Sequence, residues 1–405
     1  MTVQTIVRAV RERLAGIPER VTMPDAELRR LVENQVDTVL VLPEFANEGD
    51  VAAVKRTVLN ELLGFGPIQE LLDDSSISEI MVNGPDEVFI ERSGKIGISS
   101  QKFESIEQLM LVIDRMVRSS GRRVDQSSPM VDARLPDGSR LNVVLPPLAV
   151  DGPAVTIRKF TSSGLTTADL VSLGALSEEA SSFLEDAVTA RMNILVSGGT
   201  GTGKTTVLNI LSSFIGRDER VVTIEDAVEL SLRLPNLIRL EARPSNSEGA
   251  GEVNIRELVR NSLRMRPNRI VVGEVRGAET IDMLQAMNTG HEGSLSTVHA
   301  NSPRDALRRL ETMILLGGVD LPLRAVREQV SSSIDLIVHL ARDAQGRRFV
   351  TTITEVVGME SEVISTADLF ARDFGAGPTD ESLPKLSRTG LVSHRLGLRR
   401  NREAA

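Results

Sequence analysis

Residues 197–206 read S-G-G-T-G-T-G-K-T-T and directly follow the apolar run N-I-L-V. Their spacing fits the pattern G-x-x-x-x-G-K-[ST], in which a strand leads into the loop and a helix leaves it. Both elements are predicted here, because an apolar helical pattern continues to Ile215. Glycines let backbone N–H groups come close to phosphate oxygens at the positive end of a helix. The stretch therefore predicts a phosphate-binding loop, and the alternative is a glycine-rich turn without a ligand.

The chemistry of such a loop assigns a task to each residue type. The lysine reaches the β- and γ-phosphate oxygens, and the threonine that follows it ligates magnesium. ATP and Mg²⁺ are therefore the expected cofactors. The residues expected to bind the nucleotide are Gly198, Gly199, Thr200, Gly201, Thr202, Gly203, Lys204, Thr205 and Thr206.

Two acidic residues stand at the ends of apolar strands downstream of the loop. Glu225 ends V-V-T-I-E, and Glu274 follows R-I-V-V-G. Because ligands of open α/β sheets bind at the carboxyl ends of the strands, both acids are expected to face the phosphates. Thr205 and Glu274 are the candidates for holding Mg²⁺, directly or through water, and Glu274 and Glu225 are the candidates for orienting the attacking water. The alternative is that each acid caps a turn.

Two of the four histidines, His291 and His299, bracket a short predicted strand, L-S-T-V. A polar side chain at the end of a strand beside the nucleotide can sense the γ-phosphate and relay its presence to the next helix. Ser302-Pro303 opens that helix as an N-cap and a first helical residue. Both histidines are therefore candidate catalytic residues, and the alternative is a structural histidine with satisfied hydrogen bonds.

The composition limits the class of protein. A chain of 405 residues with 41% apolar and 25% charged residues is expected to fold into two or three domains. The absence of cysteine excludes disulfides and thiolate chemistry. A net charge of −9 and the absence of Tyr and Trp argue against a nucleic-acid partner. No apolar run is long enough for a membrane span or a secretory signal, so a cytosolic location is expected.

Changes in composition and in the spacing of apolar residues along the chain predict five regions. Helical spacing of apolar residues comes first, short strands joined by N-G-P-D and R-S-G-K turns follow, and apolar strands then alternate with capped helices. The basic C-terminal stretch loses this periodicity, so a partly disordered, solvated tail is expected, with contact to anionic lipid or an acidic partner as the alternative. The regions are a helical segment over 1–60, an α+β domain over 61–160, a hinge over 161–175, an α/β ATPase domain over 176–360 and the tail over 361–405.

Four blocks in this order resemble a known family. G-G-T-G-T-G-K-T-T, V-V-T-I-E-D-A-V-E-L, R-I-V-V-G-E-V-R-G-A-E-T and T-G-H-E-G-S-L-S-T-V-H-A-N are similar to the Walker A motif, Asp box, Walker B motif and His box of secretion-superfamily ATPases. These are the motors of type II and type IV secretion and of type IV pili. G-F-G-P-I-Q-E-L-L-D-D, E-I-M-V-N-G-P-D-E-V-F-I-E-R and I-T-E-V-V-G-M-E most resemble the tight-adherence (Flp) pilus branch, the CpaF-type ATPases.

The resemblance implies a RecA-like ATPase domain preceded by a smaller, PAS-like α+β domain. It also implies a cytoplasmic homohexamer, peripheral to the inner membrane, which docks on a membrane platform protein and acts indirectly on pilins or a secreted substrate. Arg140 and Arg158, with Arg134 as a third candidate, match the arginines that the N-terminal domain supplies to the nucleotide in this family. The main expectation is a tight-adherence pilus motor, and the alternatives are a type IV secretion ATPase, a DNA translocase and a nucleotide-gated scaffold.

Overall fold

A computed structural model describes residues 3–17, 23, 25–42, 51–92, 94–159, 164–243, 245, 251–374 and 383–403. The chain divides into two compact units, residues 1–161 and 162–405. The first residues of the expected hinge, 161–163, lie outside the described residues. Within the described ranges, no helix is long and apolar enough to cross a membrane.

The first unit begins with three helices that pack against one another. Apolar residues spaced three and four apart, such as Ile6 and Val10 or Val32 and Val36, form a shared buried stripe. The helices are α1 (Val3–Ala15), α2 (Asp25–Leu40) and α3 (Val51–Leu62).

The rest of the first unit is an antiparallel sheet of six strands in the order β3-β2-β1-β6-β5-β4. Alternate residues of the central strands are buried, for example Ile80 and Val82, and they pack against the apolar face of α5. The elements are α4 (Gln69–Asp73), β1 (Ile77–Asn83), β2 (Glu87–Arg92), β3 (Lys95–Ile98), α5 (Ile106–Ser119), β4 (Met130–Arg134), β5 (Arg140–Val144) and β6 (Ala154–Arg158).

The second unit contains a mixed sheet of nine strands in the order β15-β14-β13-β12-β7-β11-β10-β8-β9. The strands from β12 to β9 run parallel, and β13 to β15 continue the sheet as antiparallel strands. The strands are β7 (Ile194–Gly198), β8 (Val221–Glu225), β9 (Leu237–Glu241), β10 (Arg269–Val272), β11 (Leu295–His299), β12 (Leu336–Arg342), β13 (Arg348–Glu360), β14 (Val363–Arg372) and β15 (Leu386–Arg388).

Helices cover both faces of this sheet, which explains why its central strands are apolar throughout. Ile194 and Val196 pack in one core with α7 and α8, whereas Leu195 packs in the other core with α9 to α12. The helices are α6 (Thr167–Ser172), α7 (Glu178–Thr189), α8 (Lys204–Ser213), α9 (Ile255–Ser262), α10 (Glu279–Asn288), α11 (Pro303–Leu316), α12 (Leu323–Ser333) and α13 (His394–Glu403).

The structure differs from the expectation of a solvated tail in the part of 361–405 that it describes. Strands β14 and β15 extend the sheet, and α13 is attached by its arginines to Asp335. Glu355 accepts hydrogen bonds from Ser393 Oγ and from the backbone N–H of Arg395 at the start of α13. These contacts join residues far apart in the sequence, so a search for local periodicity does not detect them.

Candidate functional site

The phosphate loop connects β7 to α8, as its motif predicts. Gly201 and Gly203 adopt left-handed φ angles of 70° and 94°, which favour glycine. Gly203 lies at the N-cap position of α8 and provides no side-chain cap for that helix. The backbone N–H groups of the first turn can therefore bind an anion, with the favourable end of the helix dipole behind them.

Close packing at the start of the loop explains why position 198 is occupied by glycine. A Cβ atom at this position would lie 2.6 Å from Thr202 Oγ1 and 2.7 Å from the backbone oxygen of Leu340 on β12. Thr202 Oγ1 in turn donates to Gly199 O at 2.9 Å. The loop is therefore held in its shape by its own residues and by the neighbouring strand.

Lys204 folds over the phosphate loop. Its Nζ donates to Gly198 O at 3.1 Å and to Gly199 O at 2.9 Å. An ammonium group is a compact charge on a flexible stem with three donors, so it can turn to phosphate oxygens while staying beside the loop.

Glu229, which the sequence interpretation missed, lies beside the threonine of the loop. Thr205 Oγ1 donates to Glu229 Oε2 at 3.3 Å. Glu229 stands in a turn four residues past the end of β8, and no periodicity or strand-end position marks it. Because carboxylate and hydroxyl oxygens are the ligands that Mg²⁺ prefers, Glu229 joins Thr205 as a candidate for the magnesium site.

Glu225 is buried beneath that turn, with 3% of its surface exposed. Its Oε1 accepts the backbone N–H groups of Glu229 and Leu230, both at 2.9 Å. Its Oε2 has no hydrogen-bond partner in the described part of the chain. Burial raises the pKa of this carboxyl group. The contacts assign Glu225 a positioning task, which is to hold the turn that carries Glu229, and its expected task in orienting water stays a prediction.

Glu274 stands two residues beyond β10, at the same edge of the sheet as the phosphate loop. Its Oε2 accepts a hydrogen bond from Arg276 Nη2 at 2.6 Å, and Arg276 Nη1 lies 3.6 Å from Asp226 Oδ2. Arg276 therefore connects the ends of β8 and β10. Glu274 stays partly accessible at 24% side-chain exposure, as a residue that orients water must be.

The structure separates the two candidate histidines. His299 pairs with Gly198 across β11 and β7, so it lies at the phosphate edge of the sheet. His291 precedes the start of β11 and lies at the opposite edge, because β11 runs parallel to β7. Within one chain His291 does not join the phosphate loop.

A third histidine, His339 on β12, contacts the strand that leads into the loop. Its Nδ1 lies 2.8 Å from Ser197 Oγ, and it also bonds the backbone of Asn301, two residues after His299. Burial lowers its pKa, so the ring is neutral near pH 7. His339 therefore connects the phosphate loop to the segment that follows His299.

The arginines expected from the resemblance form a row in the first unit. Arg134 pairs with Arg140, and Arg140 pairs with Arg158, across three neighbouring strands. Directly paired residues project from the same face of a sheet, so the three side chains share one face. Arg140 and Arg158 are exposed, and Arg158 Nε lies 3.9 Å from Glu79 Oε1.

The match of this chain to a known protein family supports the resemblance indicated by its sequence motifs. Residues 61–367 match the family described as type II/IV secretion system protein. A Mycobacterium tuberculosis H37Rv protein that carries the provisional name of a conjugal transfer protein is 40% identical over 78% of this chain and 90% of its own length.

Two further relatives have names that refer to transfer or secretion. The conjugal transfer protein TrbB of Rhizobium radiobacter is 34% identical over 71% of this chain and 85% of its own length. The type IV secretion system protein VirB11 of Brucella abortus is 34% identical over 74% of this chain and 90% of its own length.

Among solved structures, the pilus retraction motor PilT with bound ADP has a similar fold. Its TM-score is 0.53 at 22% identity, with 71% of this chain and 80% of that chain covered. The expected α/β fold class is confirmed.

Proposed function

The chain belongs to the type II/IV secretion system protein family of ATPases, and we propose that it is the cytoplasmic motor of a type IV secretion apparatus of the VirB11 and TrbB type. One observation carries the proposal: the phosphate loop, Glu229 and Glu274 stand at one edge of a single sheet, with Thr205 bonded to Glu229. This edge combines a cradle for phosphates with acids for a metal ion and for water.

ATP binds with its phosphates against the backbone N–H groups of the loop and of the first turn of α8. Lys204 turns from the loop carbonyls to the β- and γ-phosphate oxygens, and the left-handed glycines let the backbone approach closely. Glu274 accepts a hydrogen bond from the attacking water, while Arg276 keeps its carboxylate in place. Hydrolysis is then mainly a matter of positioning and of neutralising charge.

The residues at this edge fit Mg²⁺. That ion is usually held by one or two protein carboxylates together with substrate phosphates, so it does not need a cluster of protein ligands. In the described ranges no group of three or more His, Cys, Asp or Glu residues is arranged to hold a metal ion. Thr205, Glu229 and Glu274 would hold the ion, whose charge would offset that of the phosphates.

The row of arginines in the first unit supplies further positive charge. Arginine contacts of this kind contribute about 10³ to 10⁵ in rate to phosphoryl transfer. Arg140 and Arg158, with Arg134, are proposed to stabilise the γ-phosphate. A homohexamer on an inner-membrane platform protein is the proposed assembly.

Within the family, the names of the relatives favour type IV secretion over the tight-adherence pilus. The three relatives carry names of conjugal transfer or type IV secretion. The tight-adherence branch, the main expectation from the sequence, is the second candidate, and it rests on the N-terminal blocks. Deletion of the gene followed by assays of substrate export and of surface fibres separates the two. Loss of export of a protein or DNA substrate would indicate a type IV secretion motor, whereas loss of fibres with that export intact would indicate a tight-adherence pilus motor.

Release of phosphate from ATP by purified variants tests the site. Lys204→Ala is expected to lose both ATP binding and turnover. Glu274→Gln is expected to keep ATP binding and to lose turnover by a factor of about 10² to 10⁴, since a residue that assists proton transfer is removed. Arg140→Ala and Arg158→Ala are expected to bind ATP without turnover.

Glu185→Gln is the matched control, because Glu185 is an exposed acid of α7. It should turn over ATP as the wild type does. Wild-type turnover in Lys204→Ala or Glu274→Gln would exclude this site. Stimulation of turnover by DNA in a salt-sensitive manner would instead favour a DNA translocase.

A further inference from the structure

Two arginines at the end of the β12–β13 hairpin stand beside the phosphate loop. Strand β12 is a direct neighbour of β7 and pairs Leu340 with Gly198, the first residue of the motif. Arg342 follows two residues later, and it pairs with Arg348 on β13. Both side chains are exposed.

The two side chains project toward the loop. Val338 and Leu340 pack in the core that α8 covers, and Arg342, two residues further along the strand, lies on the same face. Arg342 Nη1 lies 3.6 Å from the position that a Cβ atom of Gly201 would occupy. Arg348 Cδ lies 3.8 Å from the corresponding position at Gly203. The arginines therefore border the two glycines whose left-handed conformation shapes the loop.

The positive charges of Arg342 and Arg348, which are paired across the hairpin, favour the binding of an anion beside the phosphate loop. Like charges directly opposite each other on neighbouring strands destabilise a sheet. The acid of the hairpin turn, Asp343, bonds Arg347 Nε at 2.7 Å and the backbone N–H groups of Gln345 and Arg347. Two arginine side chains beside the glycines of the loop can bind a polyphosphate through charge-assisted hydrogen bonds.

The order of the strands places these arginines opposite the acids. Strand β7 lies between β12 on one side and β11 on the other, and the strands that lead to Glu274 and Glu229 lie beyond β11. The phosphate loop is therefore bordered by the acids on one side and by the side chains of Arg342 and Arg348 on the other.

We propose that Arg342 and Arg348 bind the phosphate chain of the nucleotide and make the site selective for nucleoside di- and triphosphates. This inference rests on the proposed function, because it assumes that ATP occupies the loop. The two residues bind substrate from within the ATPase unit, and they are distinct from the arginine row of the first unit.

Isothermal titration calorimetry of the full chain tests the inference, with ADP, ATP, pyrophosphate and adenosine as probes. Arg342→Gln and Arg348→Gln are each expected to weaken ADP and ATP binding about tenfold, and the double variant more, because a hydrogen bond to a charged group is lost. Pyrophosphate binding should fall in parallel, and adenosine binding should not change.

Arg347→Gln is the matched control, since it removes one positive charge from the same hairpin and from a side chain that bonds Asp343. It should bind ADP as the wild type does. Arg342→Lys and Arg348→Lys test whether the glutamine variants lose affinity through loss of charge or through misfolding. Because lysine keeps the positive charge, these variants should recover part of the ADP affinity that the glutamine variants lose.

The outcomes separate this inference from the proposed function. If Lys204→Ala loses ADP binding while Arg342→Gln and Arg348→Gln keep it, the inference is wrong and the proposed function stands. A double variant with normal ADP affinity but a smaller assembly in sedimentation would also overturn the inference, since the arginines would then contact a second copy of the chain. If the wild type itself binds no ADP or ATP, both fail.

Discussion

Asp335 is predicted to fasten the C-terminal helix to the ATPase unit, and Asp335→Asn is the substitution that tests it. Only 2% of its side chain is exposed, and it accepts hydrogen bonds from Arg395 Nη1 at 2.8 Å and from Arg399 Nη2 at 2.7 Å. Its Oδ2 also accepts the backbone N–H of Asn193 at 2.8 Å, just before β7. One carboxylate thus connects α13 to the central strand of the sheet.

The loss of folding stability expected for Asp335→Asn is estimated from the two guanidinium contacts of Asp335. Each hydrogen bond to a charged group contributes about 1.5 to 3 kcal/mol, and breaking a buried ion pair costs about 3 to 5 kcal/mol. Both arginine side chains are 16% exposed, so water compensates in part. We expect a loss of about 3 kcal/mol, which lowers the thermal midpoint of a unit of this size by about 6 to 12 °C.

Calorimetry and hydrogen exchange measure the effect. Because the chain has two units, the local exchange of the backbone N–H groups of α13 is the sharper readout. Glu328→Gln is the matched control, since its pair with Arg324 on α12 leaves the Glu328 side chain 58% exposed and should contribute less than about 1 kcal/mol. The reasoning is refuted if Asp335→Asn and Glu328→Gln melt alike and α13 stays protected in both.

Two further predictions concern buried groups of the ATPase unit. Gly293→Ala should destabilise the unit by about 2 to 4 kcal/mol in urea unfolding, because φ is +82° and the new Cβ would lie 2.6 Å from Arg269 Nη1. Gly290→Ala, with φ of +93° and no atom of the described residues within 4 Å of the new Cβ, should cost only about 1 to 2 kcal/mol. Equal losses in the two variants would show that the close contact with Arg269 does not contribute to the loss at Gly293. Burial lowers the pKa of His339, so the unfolded chain binds a proton at a higher pH than the folded chain does. The free energy of unfolding should therefore decrease as the pH falls from about 6.5 to the pKa of the folded state, by up to about 1.4 kcal/mol per pH unit. His339→Asn should remove this component, and an unchanged difference in unfolding free energy between pH 7.5 and pH 5.5 would contradict it.

The phosphate loop and the α/β fold could be predicted because their signals are contiguous. The loop is a single stretch of ten residues flanked by a strand and a helix, and both flanks follow from local periodicity. Glu274 could be named as a candidate because it stands just beyond the end of an apolar strand. Each of these signals depends only on neighbours in the chain.

The pairing of distant strands decided the remaining members of the site. His339 and Arg342 reach the phosphate loop only because β12 lies beside β7, although the two strands are separated by four others in chain order. His291 looked equivalent to His299 in the sequence, yet the direction of β11 places it at the other edge. No motif spacing contains this information.

The residues alone therefore established a phosphate-binding ATPase fold and its family resemblance, because backbone conformation and hydrophobic period are local properties of a chain. The three-dimensional arrangement alone decided that Glu225 supports the turn of Glu229 and that Arg342 and Arg348 border the loop. It also decided that the basic C-terminal helix docks on Asp335. Each of these facts depends on which buried or charged groups the order of the strands brings within hydrogen-bonding distance, and that order is set by the packing of the whole sheet.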